Sequence, residues 1–192
     1  METAKPQADK VIWWKLSLKR WPKRSHMHKI FPKNCLSSAC EVCSNPTEDI
    51  DHMLFDCPPK HRFWKYTLTL FNIWLVKDLP VPKRCLTSQN IVEGSQYLWS
   101  NISLNRNPSS MTILSMAIAT IWRCHWKFVF RDEEQDRLTY EQLVESLWHT
   151  LSTRIHEDAK KKKEKNNWLR KGVVEWYNDA IHITRPRIFI PL

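Results

Sequence analysis

One spacing constrains this chain more than any other feature: Cys40-x2-Cys43-x8-His52-x4-Cys57. Two cysteines separated by two residues form a knuckle that points both sulfurs at one ion while backbone amides face them. A histidine and a third cysteine follow closely. Three thiolates and one imidazole make a closed tetrahedral set for Zn²⁺, with no position left for a reactive water. The expected site is therefore structural, and no catalytic residue is assigned. Local punctuation agrees. Asn45-Pro46-Thr47-Glu48 reads as an N-cap, a proline at the first helical position and an acid at the third, which predicts a short helix from Pro46 carrying His52. Cys57 precedes Pro58 and Pro59, and a residue before proline is pushed out of the α region. That helix should end near Cys57 and free its thiolate to turn. On an unbroken α-helix the step from His52 to Cys57 would put the two on different faces. Two alternatives remain at this point: His61 as fourth ligand, and Cys35 as a spare thiolate.

Composition places this cluster in a folded, helical, basic protein. The 192 residues suit one domain of ordinary size, or one compact domain with a tail. A hydrophobic fraction of 42% with 11 Trp provides a core that a disordered chain lacks. Only 2 Gly argue against a turn-rich β fold and against a glycine-rich phosphate loop. The start of the chain has no apolar signal core, and the apolar stretch Met111–Trp122 is too short to span a bilayer. An intracellular, reducing setting is expected, and there clustered cysteines read as a metal site sooner than as disulfides.

The formal charge of +10 points to polyanions such as nucleic acid, with no membrane or small-molecule ligand expected. The charge is concentrated: from Lys10 to Asn34 there are eight Lys or Arg and no acid. Lys15, Lys19, Arg20, Lys23, Arg24 and Lys29 are the candidate phosphate contacts, and Trp21 the candidate base-stacking residue. Burial of the tryptophans in the core is the competing reading, since large aromatics usually bury.

Hydrophobic periodicity organises the remainder. Residues 1–10 are expected to lie outside the fold, 11–76 to form the metal-binding domain with its basic arm, 77–170 a helical region and 171–192 a tail. The predicted class is mainly α: a small zinc-bound lobe followed by about four helices, at 60–76, 89–103, 109–131 and 140–165. The third is apolar nearly all round and so central. The fourth opens on Thr139-Tyr140-Glu141-Gln142, a capping box, and carries Leu143, Leu147, Leu151 and Ile155 on one stripe. Arg187–Ile190 reads as a short strand or extended arm.

The segment from Trp14 to Trp64 resembles the zinc-binding domain that follows the polymerase in non-LTR (LINE-type) reverse transcriptases. The pieces that carry the resemblance are Trp14-Lys15-Leu16, Trp21-Pro22-Lys23-Arg24, His28-Lys29-Ile30, Cys40-x-x-Cys43, Thr47-Glu48, His52-Met53-Leu54-Phe55-Asp56-Cys57 and Phe63-Trp64. Ile121-Trp122-Arg123 with Phe128-Val129-Phe130 is similar to a helix that often trails such domains. The resemblance implies zinc on Cys40, Cys43, His52 and Cys57, favouring His52 over His61, and a role in holding RNA or a DNA target. No Tyr-x-Asp-Asp or Phe-x-Asp-Asp pair is present to hold the metals of a polymerase. The expected identity is a detached carboxyl-terminal piece of a retrotransposon protein, with the nucleus among its locations.

Other features weigh less. The run Lys160–Lys163 reads as a solvated helix end or a basic patch, and the acids within 131–136 as a solvated loop. Cys124, with His125 and Cys85, is a weak thiol-nucleophile set, since buried cysteines are usually inert. His149 and His156 share a helix face. The expected function is nucleic-acid binding without catalysis, and the alternative is a zinc-stabilised protein-interaction domain using its tryptophans. Loss of Cys43 is expected to disorder the zinc segment while leaving much of the helical body.

Overall fold

The computed structural model describes Lys15, Leu18, residues 21–70, 110–130 and 137–160, Trp168, and residues 174–177 and 180–183. The elements in order are α1 (Arg24–Ile30), a π-helical turn (His52–Asp56), α2 (Pro58–Leu70), α3 (Ser110–Val129), α4 (Tyr140–Lys160), β1 (Val174–Tyr177) and β2 (Ala180–Ile183). The class is mainly α. The helix expected at 89–103, the domain boundaries near 76 and 170 and the stretch 187–190 lie outside the described residues. Among the described residues no helix is long and apolar enough to cross a membrane.

Helix α4 forms as its sequence dictates. Thr139 N–H donates to Gln142 Oε1 at 3.0 Å, and Gln142 N–H donates to Thr139 Oγ1 at 3.2 Å. This reciprocal pair satisfies two donors that the first helical turn leaves free. Leu143, Leu147, Leu151 and Ile155 are all buried, each stabilising by about 1.5–3 kcal/mol relative to exposure. They pack on α3, the central helix, where Ile113, Leu114, Ala117, Ile118 and Ile121 are fully buried. Trp148 also enters the core, because its indole N–H finds Tyr66 Oη on α2 at 2.7 Å. Asp158 closes the far end of α4, accepting from Arg154 Nε at 2.9 Å and Trp168 Nε1 at 3.0 Å.

Helix α2 begins at Pro58, two residues earlier than the periodicity suggested. Its adjacent prolines occupy positions where a missing N–H does no harm. Its buried face runs through Lys60, Phe63, Trp64 and Thr67, while Leu68 is only partly buried. Residues 71–76 of the helix expected at 60–76 lie outside the described residues.

Two strands that periodicity missed pair antiparallel, with Val174 opposite Ile183 and Tyr177 opposite Ala180. A signal was present: a run of β-formers, Val173-Val174-Glu175-Trp176-Tyr177, followed by the turn-forming pair Asn178-Asp179. The hairpin lies against α4, with Ile183 packed on the core.

The zinc-type lobe and the helices are not separate bodies. One core joins Trp21, Cys40, Val42, Ile50, Met53, Phe55 and Cys57 to Ile113, Leu143, Leu151 and Trp168. The basic arm is held by aromatic contacts. Trp21 meets Trp122 edge to face with centroids 4.7 Å apart, Trp122 meets Trp126 at 5.4 Å, and Trp126 stacks on Phe130 at 5.0 Å.

Trp21, only 4% exposed, is therefore core, which corrects its candidacy for base stacking. Trp21→Ala is expected to lower the unfolding free energy by about 3–5 kcal/mol in urea denaturation followed by circular dichroism. A change below about 0.5 kcal/mol, the range of surface substitutions, would contradict this placement.

Candidate metal centre

The knuckle is a tight turn closed by two backbone bonds: Ser44 N–H to Cys40 O and Cys40 N–H to Asn45 O, each 2.8 Å. Closing it puts Ser44 at φ 62°, a left-handed conformation that costs a non-glycine residue about 1–2 kcal/mol. Asn45 does not cap a helix. Its Oδ1 accepts from Thr47 N–H at 3.1 Å, forming a local side-chain turn. The helical turn instead opens at Ile50, with Asp49 Oδ1 accepting from His52 N–H at 2.8 Å. Both Asn45 and Asp49 are capping residue types. The structure uses the one closer to the apolar run that must be buried.

From His52 the turn widens to π geometry, and Cys57 N–H donates to His52 O at 3.1 Å, a five-residue step. This wider turn brings His52 and Cys57 towards one side, which an α-helix does not do. Trp64 Nε1 donates to Leu54 O at 2.8 Å, supplying a partner for a carbonyl within the widened turn. Cys57 then leaves helical geometry at φ −60° and ψ 127°, the extended state imposed by the following proline.

The ligand atoms of Cys40, Cys43, His52 and Cys57 lie within 4.8 Å of one another. Cys43 Sγ is 3.1 Å from His52 Nε2, and Cys40 Sγ is 4.0 Å from Cys57 Sγ. A tetrahedral site with metal–sulfur bonds of about 2.3 Å has sulfur–sulfur edges of about 3.8 Å, so these spacings fit a single ion. Cys40, His52 and Cys57 are buried, whereas Cys43 is half-buried beside an open depression that Asp49 and Asp56 also line. His61 stays outside the group on α2. Cys35 is also outside it, its buried thiol donating to Ser37 O at 3.4 Å.

The thiols perturb one another strongly. Cys40 is held far below the ordinary thiol range, first by the hydrogen bond with Cys57, and the same bond raises Cys57. Burial raises Cys43. A divalent cation held between the thiols would displace their protons. Three thiolates around such an ion leave one net negative charge.

A buried cation faces that excess. Lys60, with no solvent exposure, comes from the first turns of α2, and its charge interacts with Cys57 and Cys40. Burial lowers its pKa, while those thiolates and Glu48 oppose the shift. Lys60 Nζ donates to His125 Nδ1 at 3.0 Å, which leaves His125 Nε2 to carry the proton that faces Glu48 Oε1 at 3.3 Å. Glu48 Oε1 also accepts from Arg24 N–H at the start of α1, at 3.2 Å. A polar chain thus runs from α1 through Glu48, His125 on α3 and Lys60 on α2 to the thiols. Sequence reading missed this chain. His125 appeared only beside Cys124, and an apolar helix gives no sign that its single histidine meets a lysine 65 residues away.

The cationic candidates divide. Arg24 is buried, with Nε donating to Ala39 O at 2.9 Å and its guanidinium paired with Glu41. It ties α1 to the knuckle, so its assignment to phosphate is corrected. Lys29 is exposed, while Lys15 and Lys23 are half-buried; Lys19 and Arg20 lie outside the described residues. His149 and His156 are both exposed on α4, and Cys124 is half-buried on α3.

Residues 2–64 match the family model described as zinc-binding in reverse transcriptase. This segment contains all four clustered residues and the arm, so this part of the chain is similar to the zinc-binding domain of reverse transcriptases. No curated protein and no solved structure matches the chain.

Because Cys57 and the π turn are built into the common core, metal loss should not stay local. Cys57→Ser is expected to reduce hydrogen-exchange protection in α3 as well as in residues 35–57. Loss confined to 35–57 would show that the lobe folds apart from the helices. A second expectation concerns pH. Burial, the largest cause, and the charge of Lys60 lower the His125 pKa, against the opposing pull of Glu48. The folded state therefore keeps His125 neutral where the unfolded chain, with a pKa of about 6.5, takes up a proton. The unfolded state binds more protons, so stability falls as pH drops below about 6.5. His125→Gln keeps an acceptor for Lys60 and should make this acid-side slope shallower by up to about 1.4 kcal/mol per pH unit. Denaturation series at several pH values check it, and an unchanged slope counts against a neutral His125.

Proposed function

We propose that this protein is a zinc-stabilised nucleic-acid-binding module of the non-LTR reverse-transcriptase type, which holds RNA or DNA and catalyses no reaction itself. The ion is taken to be Zn²⁺ because three sulfurs and one imidazole nitrogen suit it, and four protein ligands form a closed structural set. Bound there, zinc would join the knuckle to the turn before α2 and supply folding energy. Cys40 and Cys43 would hold it from the knuckle, His52 and Cys57 from the π turn.

The observation that carries the nucleic-acid reading is the distribution of charge. No Asp or Glu lies between Asp9 and Glu41. Glu41 pairs with Arg24, and Glu48 accepts from the first amide of α1 and lies 3.3 Å from His125. Lys23, Lys29 and Lys33 therefore face an anionic ligand without a carboxylate from their own segment to compete. The family match on residues 2–64 supports the same reading.

The test combines metal analysis with binding. Protein purified without chelator should carry about one zinc per chain, lost in Cys43→Ser. Affinity for RNA and DNA oligonucleotides should fall linearly on a log–log plot against salt, with a slope of about −0.7 to −0.9 per phosphate contacted. Zinc-loaded protein that binds neither polymer, or binds with no salt dependence, would favour the protein-interaction alternative.

A further inference from the structure

The end of α1 and the turn after it present three large apolar side chains to solvent: Ile30, 52% exposed, Phe31, 56%, and Leu36, 82%. They lie within seven consecutive residues that also hold the exposed Lys33, and the exposed Lys29 immediately precedes them. Exposed apolar side chains scattered singly need no explanation, but three within so short a stretch do. The turn is also firmly built. Asn34 N–H and Cys35 N–H both donate to Phe31 O, at 3.0 and 2.9 Å, and Pro32 fixes the first corner. Behind it, His28 Nδ1–H donates to Cys35 O at 2.7 Å, and the Cys35 side chain is buried. The aromatic ring stands on a preorganised support.

We infer that Phe31, flanked by Lys29 and Lys33 and extended by Leu36, is a stacking platform for the unpaired bases of single-stranded nucleic acid. The inference rests on the nucleic-acid reading above and names the strand form and the surface. Charge selects the class of partner: exposed lysines lie two residues before and two residues after Phe31, in a segment without acids. Shape selects single strands. A ring displayed on a turn can pair with the π-face of an unstacked base, whereas duplex bases already cover each other's faces. Lysines on either side can follow the backbone while the ring takes a base. The role that the sequence offered to Trp21 passes to Phe31, because Trp21 is packed on Trp122.

The experiment uses the full zinc-loaded chain and labelled oligonucleotides of about 15 nucleotides, single-stranded and duplex, of both RNA and DNA. Phe31→Ala is expected to weaken single-strand binding by roughly 5- to 100-fold, and to change duplex binding little. Phe31→Trp should preserve or tighten it. Lys29→Ala with Lys33→Ala should make the salt slope shallower by about 1.4. Zinc content and circular dichroism should match the wild type in each variant, since all three residues are exposed. If the wild type binds and Phe31→Ala binds equally well, the platform is wrong while the nucleic-acid reading stands. If Phe31→Ala weakens single strands and duplexes alike, stacking on unpaired bases is wrong. If the wild type binds no nucleic acid, both fail, and an accompanying loss of self-association or protein capture in Phe31→Ala would assign the patch to a protein contact.

Discussion

The hydrogen bond from Cys57 N–H to His52 O, spanning five residues, governs how the ligands meet. In an α-helix His52 and Cys57 would diverge around the axis. The widened turn brings them together, and the pre-proline geometry of Cys57 completes the convergence. The same turn directs Met53, Leu54 and Phe55 into the core, each with no exposure. Metal ligation and hydrophobic burial are therefore imposed on one five-residue element, and neither can shift register without disturbing the other. The extended knuckle needs only to present Cys40 and Cys43 at the right height, which its two backbone bonds and the left-handed Ser44 accomplish.

Around this element the polar interior is arranged to carry charge. Thiolates gathered on one ion would create an anionic centre inside a core, and an isolated buried charge is costly. Lys60 answers it from α2, His125 on α3 accepts a hydrogen bond from Lys60, and Glu48 lies 3.3 Å from His125 Nε2 and accepts from the first amide of α1. These groups come from four parts of the chain, so the network ties the packing of α1, α2 and α3 to the state of the thiols. Such a network adds little net stability, because desolvation offsets attraction. Its value lies in geometry: removing one member strands the others in an apolar interior. Arg24 extends the logic to the knuckle through Ala39 O and Glu41. An arm that looked uniformly basic thus divides into a cation that holds the fold and lysines that face outward.

Much of this was legible beforehand where the relevant physics is local. The capping box at Thr139 and Gln142, the stripe from Leu143 to Ile155, the apolar helix around Ile118 and the break at Cys57 each follow from a few neighbouring residues. The misplaced helix start shows the limit. Asn45-Pro46 and Asp49 are both valid local signals, and only the need to bury Ile50 and Met53 decides between them. The hairpin at Val174–Ile183 was missed for a related reason, since short strands declare themselves only when they find each other.

By itself the sequence determined the candidate ligands and their spacing, the helical class and a basic segment without acids, because spacing, periodicity and charge are properties of neighbours along the chain. Tertiary structure decided which aromatics are buried and which are displayed, that Arg24 is internal, and that Lys60, His125 and Glu48 stand in line behind the thiols. Those outcomes depend on contacts such as Trp21 with Trp122 and Lys60 with His125, between residues far apart in sequence. A tryptophan or an arginine has the same composition whether it faces water or core. Only the folded chain fixes the surroundings that give it one role.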